Sequence, residues 1–154
     1  VMAGPTTTKG RFFGLLIGDG EESETFTKTC AVNSSVGLQM AKATSETITR
    51  DCADNDVVPW AIVDAVSKSA SLSGEGVFDT ASLAVLVPWF NGTVTKNVKL
   101  EIYATAADGS QGALFGTFAG AAQLTQFDVN APDGERATAS ISLTFSGAVT
   151  WAAE

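Results

Sequence analysis

The feature that most constrains this chain is the stretch 136–146, where apolar and small hydroxyl side chains alternate without a break. A β-strand presents successive side chains to opposite faces. One set here is Ala139, Ile141, Leu143 and Phe145, and the other is Thr138, Ser140, Ser142, Thr144 and Ser146. The first set requires a core. The second contains no Lys, Glu or Arg, although a solvated strand face ordinarily mixes in long charged side chains. A run of short hydroxyls suits a smooth polar surface or close packing against a neighbour. Pro132, Asp133 and Gly134 form a turn before the stretch, and Gly147 follows it.

A second stretch, 68–78, repeats the pattern. Ser67, Ser69, Ser71 and Ser73 alternate with Ala70, Leu72 and Gly74, and the spacing of Gly74 and Gly76 reads as a bulge or a close backbone approach. Residues 97–104 give the cleanest strand, with Val98, Leu100, Ile102 and Ala104 inward and Lys99, Glu101 and Tyr103 outward. Its expected partner is 113–122, across a turn at Asp108, Gly109 and Ser110, and 124–129 leads on to the last hydroxyl-faced strand. A further strand is expected at 11–17, closed by a Gly18-Asp19-Gly20 turn; 25–32 reads as a strand or a short extended link, and 57–66 carries Trp60 and Ile62. A hairpin is expected to join 36–42 to 45–50 through Ala43 and Thr44. The one helical pattern is 79–87, capped by Asp79 or Thr80, with Leu83, Leu86, Val87 and Phe90 on its buried side. Pro88 is expected to end or bend it. The sum is mainly β: a β-sandwich or barrel-like domain over 11–154 with one flanking α-helix, preceded by a flexible N-terminal arm over 1–10.

Several functions are excluded by residue type. The chain has no histidine, which removes the commonest general base and zinc ligand. Ser67 and Lys68 are adjacent on a strand and point to opposite faces, so they do not form a nucleophile–base pair. The acidic pairs Glu21/Glu22 and Asp54/Asp56 stand in loops with no apolar surroundings to raise a pKa. Asp51, Asp54 and Asp56 lack the Gly and distant Glu of a calcium loop, and read as a solvated acidic turn. No cofactor or metal is expected, and the protein is read as a non-enzyme. The net charge of −8 opposes both nucleic-acid phosphates and anionic membrane surfaces. No membrane association is expected: no apolar run approaches the roughly 18 residues of a membrane span, and 1–10 lacks a signal-peptide hydrophobic region, so folding in the cytoplasm is expected. Cys30 and Cys52 have no metal or redox spacing and read as small, half-buried, reduced residues.

Four phrases, in this order, resemble the major tail tube proteins of long-tailed bacteriophages. They are Thr47-Ile48-Thr49-Arg50-Asp51 leading through an acidic loop to Trp60; S-A-S-L-S-G-E-G-V-F over 69–78; the helix and the strand 98–103 after it; and A-P-D-G-E over 131–135 followed by the alternating strand and Gly147. The similarity covers about residues 11–151, and Pro88 departs from it mildly. The tubes of contractile tails and of type VI secretion are similar in fold.

The resemblance implies a homo-oligomer: hexameric rings stacked into the virion's hollow tail tube, assembled in the host bacterial cytoplasm, through which DNA passes without specific binding. It also implies a tape measure protein and tail terminator and tip proteins as partners. On that reading Ser69, Ser71, Ser73, Thr138, Ser140, Ser142 and Thr144 line the lumen, while Pro5, Lys9, Asp51, Asp54 and Asp56 make inter-ring contacts. An acidic, smooth conduit free of basic and stacking sites suits passing DNA. The alternative is a monomeric acidic β-sandwich that binds a sugar or protein ligand. Such a module would need an exposed aromatic platform, whereas Trp60, Trp89 and Trp151 are far apart in the sequence, each among apolar neighbours.

Overall fold

The computed structural model describes residues 7–30 and 32–154. Eight strands form one antiparallel sheet: β1 (Phe13–Gly18), β2 (Phe26–Lys28), β3 (Ser35–Ile48), β4 (Ala61–Val77), β5 (Lys96–Thr105), β6 (Gln111–Asn130), β7 (Thr138–Phe145) and β8 (Thr150–Ala153). The order is β2-β1-β5-β6-β7-β4-β3, with β8 paired to β6 beyond the end of β7. The single α-helix among the described residues, α1 (Leu83–Asn91), follows a short 3-10 turn at Thr80–Ser82. Core residues come from one face of the sheet, supplied by both of its halves, and from the helix: Leu15, Val98 and Leu100 join Leu72, Leu143 and Leu86 in one cluster. One sheet therefore folds over itself around a shared interior, the barrel-like arrangement with a flanking helix that the alternation predicts.

The alternating strand behaves as its pattern demands. Ala139, Ile141, Leu143 and Phe145 are all buried. At roughly 25 cal/mol per Å² of apolar surface, each large side chain contributes about 1.5–3 kcal/mol. The glycines of β4 and β6 are close-approach positions. A Cβ on Gly74 would lie 2.3 Å from Val32, and one on Gly116 would lie 2.2 Å from the Trp151 ring. Trp151 also packs against Phe118 in a tilted contact, ring centroids 4.5 Å apart, so β8 is fastened to β6 by an aromatic contact that only glycine admits.

Several expectations need correction. The segments 36–42 and 45–50 are one strand, not a hairpin: β3 pairs with β4 along its whole length, and the Ala43/Thr44 position is a register shift, not a turn. Likewise 57–66 and 68–78 meet in β4, and 113–122 and 124–129 meet in β6, interrupted by a shift between Leu124 and Gln126. A β-bulge inserts one residue and bends the strand without ending it. The helix begins later than expected and passes through Pro88. The proline removes one hydrogen bond, to the carbonyl of Ala84, and Ala84 is exposed to solvent. The buried face of the helix is Leu86 and Trp89, while Val87 and Phe90 are exposed. The Asp79 cap falls on the 3-10 turn instead: its carboxylate accepts from the Ala81 backbone N–H, whereas α1 itself is flanked by Ser82, which makes no side-chain cap bond.

Candidate assembly surfaces

Two hydroxyl-faced strands, recognised separately in the sequence, lie side by side. The register of β4 on β7 pairs Ser71 with Thr144, Ser73 with Ser142, and Glu75 with Ser140. On the far side of β7, Gln123 faces Thr144, Gln126 faces Ser142, Asp128 faces Ser140, and Asn130 faces Thr138. On the far side of β4, Gln39 faces Ser71, Gly37 faces Ser73, and Ser35 faces Glu75. The β3-β4-β7-β6 sheet thus carries one continuous polar face opposite its apolar one. None of the positions just named is Lys or Arg. The face is held by its own hydrogen bonds: Gln126 Nε2 donates to Asp128 Oδ2 at 2.6 Å, the Thr125 hydroxyl donates to the Ser142 carbonyl at 3.1 Å, and the Ser35 hydroxyl donates to Glu75 Oε1 at 3.3 Å. Ser69 lies just beyond this four-stranded region, where β4 has only Ala41 of β3 beside it.

From there β3 and β4 leave the body as a two-stranded arm. Residues 41–58 and 60–69 are all exposed. The arm carries Ile48, Val58, Trp60, Ile62, Val63 and Val66 in the open, with Trp60 89% exposed. Trp60 has the apolar neighbours expected of it, but they are exposed with it, so the arm presents an open aromatic side chain. Asp51, Asp54 and Asp56 are in the loop at the arm's tip. Asp51 accepts from the Ala53 N–H at 2.9 Å and Asp54 from the Asp56 N–H at 3.0 Å, so two of the three carboxylates shape local turns. No group of three or more acidic or cysteine side chains able to hold a metal is found among the described residues.

Strand directions place the other candidate contacts. β4 runs from the arm at Ala61 to the body at Val77, and its pairing through β7 and β6 to β5 sets the arm's direction toward the Thr105 end of β5. Lys9 lies at that same end: its ammonium donates to the Gly109 carbonyl at 2.8 Å, and the Thr8 hydroxyl donates to the Tyr103 carbonyl at 2.6 Å. Pro5 and the rest of 1–6 lie outside the described residues.

At the opposite end, where β5 begins at Lys96, β1, β2 and α1 enclose an open groove of about 610 Å³. Ala84, Val85 and Val94 line it with apolar surface, and Lys28 and Lys96 stand at its margin beside Asp19 and Asp79. Asp19 accepts from the N–H groups of Glu21 and Thr25, and the bond from Glu21 is the main cause that lowers its pKa below the ordinary carboxylate value. Trp89, 4% exposed, also lines the groove, and its indole N–H finds no acceptor among the described residues. Cys30 lines the groove and Cys52 lies in the arm loop; both are free thiols and both are exposed, not half-buried as expected. Neither the groove nor the arm was visible in the sequence, because each depends on how distant segments meet. The only local signal was the apolar character of 57–66 beside three aspartates.

A family model described as phage tail tube protein matches residues 7–151. Among solved structures, the chain is similar to the tail of an empty gene transfer agent particle with C6 symmetry: TM-score 0.71, 18% identity, 96% of this chain and 100% of that one. It is also similar to the SPP1 tail tube, with TM-score 0.65, 14% identity, 96% of this chain and 80% of that one. A third likeness is to the sheath-tube complex of the extracellular contractile injection system PVC, with TM-score 0.61, 18% identity, 96% of this chain and 93% of that one. No curated protein matches. At these identities the structural likenesses establish the fold.

Proposed function

Because the chain belongs to the phage tail tube protein family, we propose that its copies close into hexameric rings and that the rings stack into the hollow tube that conducts DNA. The role is structural. The C6 symmetry of the similar gene transfer agent tail supports the ring size. The observation that carries the reading of the bore is the polar face of β3, β4, β7 and β6, with Ser71, Ser73, Thr138, Ser140, Ser142 and Thr144 in adjacent rows and no basic side chain among the positions paired with them. Turned inward, this face forms the lumen wall and its apolar reverse stays in the subunit core. Hydroxyls and amides hydrate the wall, but they do not grip phosphate as an Arg fork does. Glu75 and Asp128 add negative charge that keeps DNA off the wall. Ser69 extends the track to the root of the arm. The arm itself, with Asp51, Asp54 and Asp56 at its tip, reaches the adjacent ring, as does the end that carries Pro5 and Lys9.

A tape measure protein inside the growing tube, and terminator and tip proteins at its ends, are the partners that such a tube requires. Assembly takes place in the host cytoplasm, and the finished tube is part of the virion tail. Electron microscopy of the purified chain tests the whole reading. Rings or tubes are expected, with Ser142 on the inner wall in a helical reconstruction. Monodisperse monomers at every concentration would refute the tube. Ser142 on the outer surface would refute the bore assignment alone.

A further inference from the structure

The arm and the groove belong to the same chain but cannot meet within it. The arm loop hangs from the N-terminal end of β4, and α1, which walls the groove, follows its C-terminal end through the 3-10 turn at Thr80–Ser82. A strand as long as Ala61–Val77 spans roughly 55 Å. We propose that the groove between α1, β1 and β2 receives the arm loop of a second copy of this chain, with Trp60 and Val58 seated against Ala84, Val85 and Val94. The proposal rests on the tube reading, and it names the surface that the arm finds on the next ring.

Three observations favour this occupant. The first is apolar surface exposed on both sides. Val58 is 83% exposed on the arm, while Val85 and Val94 are 45% and 73% exposed at the groove. A groove of about 610 Å³ is roomy enough for an indole and an isopropyl group. The second is charge. The loop brings Asp51, Asp54 and Asp56, and the groove margin offers Lys28 and Lys96. Asp19 and Asp79 stand at the same margin, hydrogen-bonded within their own turns, and the charge of Lys96 already acts on Asp19, which leaves Lys28 as the main cation for the loop. The third is symmetry. A knob at one end and a socket at the other make a head-to-tail contact, which does not close on itself when repeated along an axis and so generates an open stack.

The two native cysteines report on this contact directly, because Cys52 is in the knob and Cys30 in the socket. Assembled wild-type tubes treated with a flexible bis-maleimide should give a ladder of covalent multimers on a denaturing gel, since each copy offers one thiol of each kind. Cys30→Ser or Cys52→Ser should each abolish the ladder. Trp60→Ser and, independently, Val85→Glu should leave a folded subunit and raise the concentration needed for stacking by about tenfold or more, the scale expected for a buried aromatic anchor. If wild-type tubes form but give only dimers that survive Cys30→Ser, or give no cross-link, the docking is wrong and the tube reading stands. Normal stacking by Trp60→Ser, or loss of stacking only on deletion of residues 1–6, also overturns it. If the wild-type chain forms neither rings nor tubes, the tube reading itself has failed.

Discussion

Strand β4 is two different structures joined at Ala70. From Ala70 to Val77 it buries alternate residues, with Ala70, Leu72, Gly74 and Gly76 inside, and β3 and β7 flank it. From Ala61 to Ser69 it buries nothing and has β3 alone. The tryptophans repeat the contrast: Trp89 is 4% exposed in the body and Trp60 is 89% exposed on the arm. A two-stranded ribbon is at best marginally stable in water, so the body must supply the stability and the arm contributes little to it. An apolar residue on the body stabilises the subunit, whereas one on the arm is held ready for another molecule.

Removing core side chains should produce the largest effect and sharpen this division. Trp89→Ala should cost about 3–5 kcal/mol, and Leu143→Ala about 2–5 kcal/mol, both read from urea unfolding of unassembled subunits. Trp60→Ser should shift the same transition by less than about 0.5 kcal/mol. An equal loss for both tryptophans would break the comparison, because Trp60 would then have to be packed within its own subunit.

A somewhat smaller effect is expected where β8 meets β6. Gly116→Val would drive a branched side chain into the Trp151 ring. Overpacking of this kind typically costs about 1–3 kcal/mol. Trp151 should come off Phe118 and its fluorescence should shift toward that of a solvated indole. Unchanged emission and stability would mean that β8 is held by its backbone pairing alone.

The alternation of buried and polar residues was legible because a period of two survives any tertiary context. It showed both hydroxyl rows, the inward face of β7 and the Val98 and Leu100 part of β5, whereas Ile102 and Ala104, at and beyond a register shift, are only half-buried. The lengths of the elements were not legible. Strands usually run about 5–6 residues, and β3, β4 and β6 run 14, 17 and 20. Bulges at Ala43/Thr44 and after Leu124 shift the register, so the pattern changes phase and one strand reads as two. The exposure of Trp60 was not legible for a different reason. Composition does not distinguish an apolar residue meant for its own core from one meant for a neighbour's surface. The groove was hidden because its walls come from residues 17–30 and 79–96, and only the β1–β2 pairing and the seating of α1 bring them together.

The lumen wall should be tolerant in stability and sensitive in function. Ser142 points away from the core and is half-buried, so Ser142→Arg should change unfolding by less than about 0.5 kcal/mol. In a tube it adds one guanidinium per subunit along the DNA path. Ejection should slow, most at low ionic strength, because phosphate contacts weaken as salt rises. Unchanged ejection at low salt, with the introduced guanidinium facing the bore, would defeat the idea that the wall works by lacking cations.

The smallest expected effects come from two carboxylates, one at each end of the body. Asp108 is held below its ordinary pKa of 3.8 chiefly by the hydroxyl of Ser110, with the Ser110 backbone N–H adding to it. Asp19 is lowered by the N–H bonds from Glu21 and Thr25, and the charge of Lys96 helps. A carboxylate whose folded pKa is depressed contributes stability above its unfolded value, and that contribution is lost as pH falls through the folded value. Neither should matter from neutrality down to about pH 4, and both contributions should fade below that. Both groups are solvent-exposed, so the changes should be slight and reduced by salt. The two variants should nevertheless differ. Asp108→Asn alters a turn remote from the groove, where Gly109 accepts from Lys9, whereas Asp19→Asn alters the clamp on 19–25 at the margin of the groove. Urea midpoints measured between pH 2 and 7 should show a shallower acid decline in both variants. Tube assembly at pH 7 should be normal in Asp108→Asn and weakened in Asp19→Asn. Equal assembly by the two would mean that the Asp19 turn does not shape the receiving surface, and would confine the contact to the helix side of the groove.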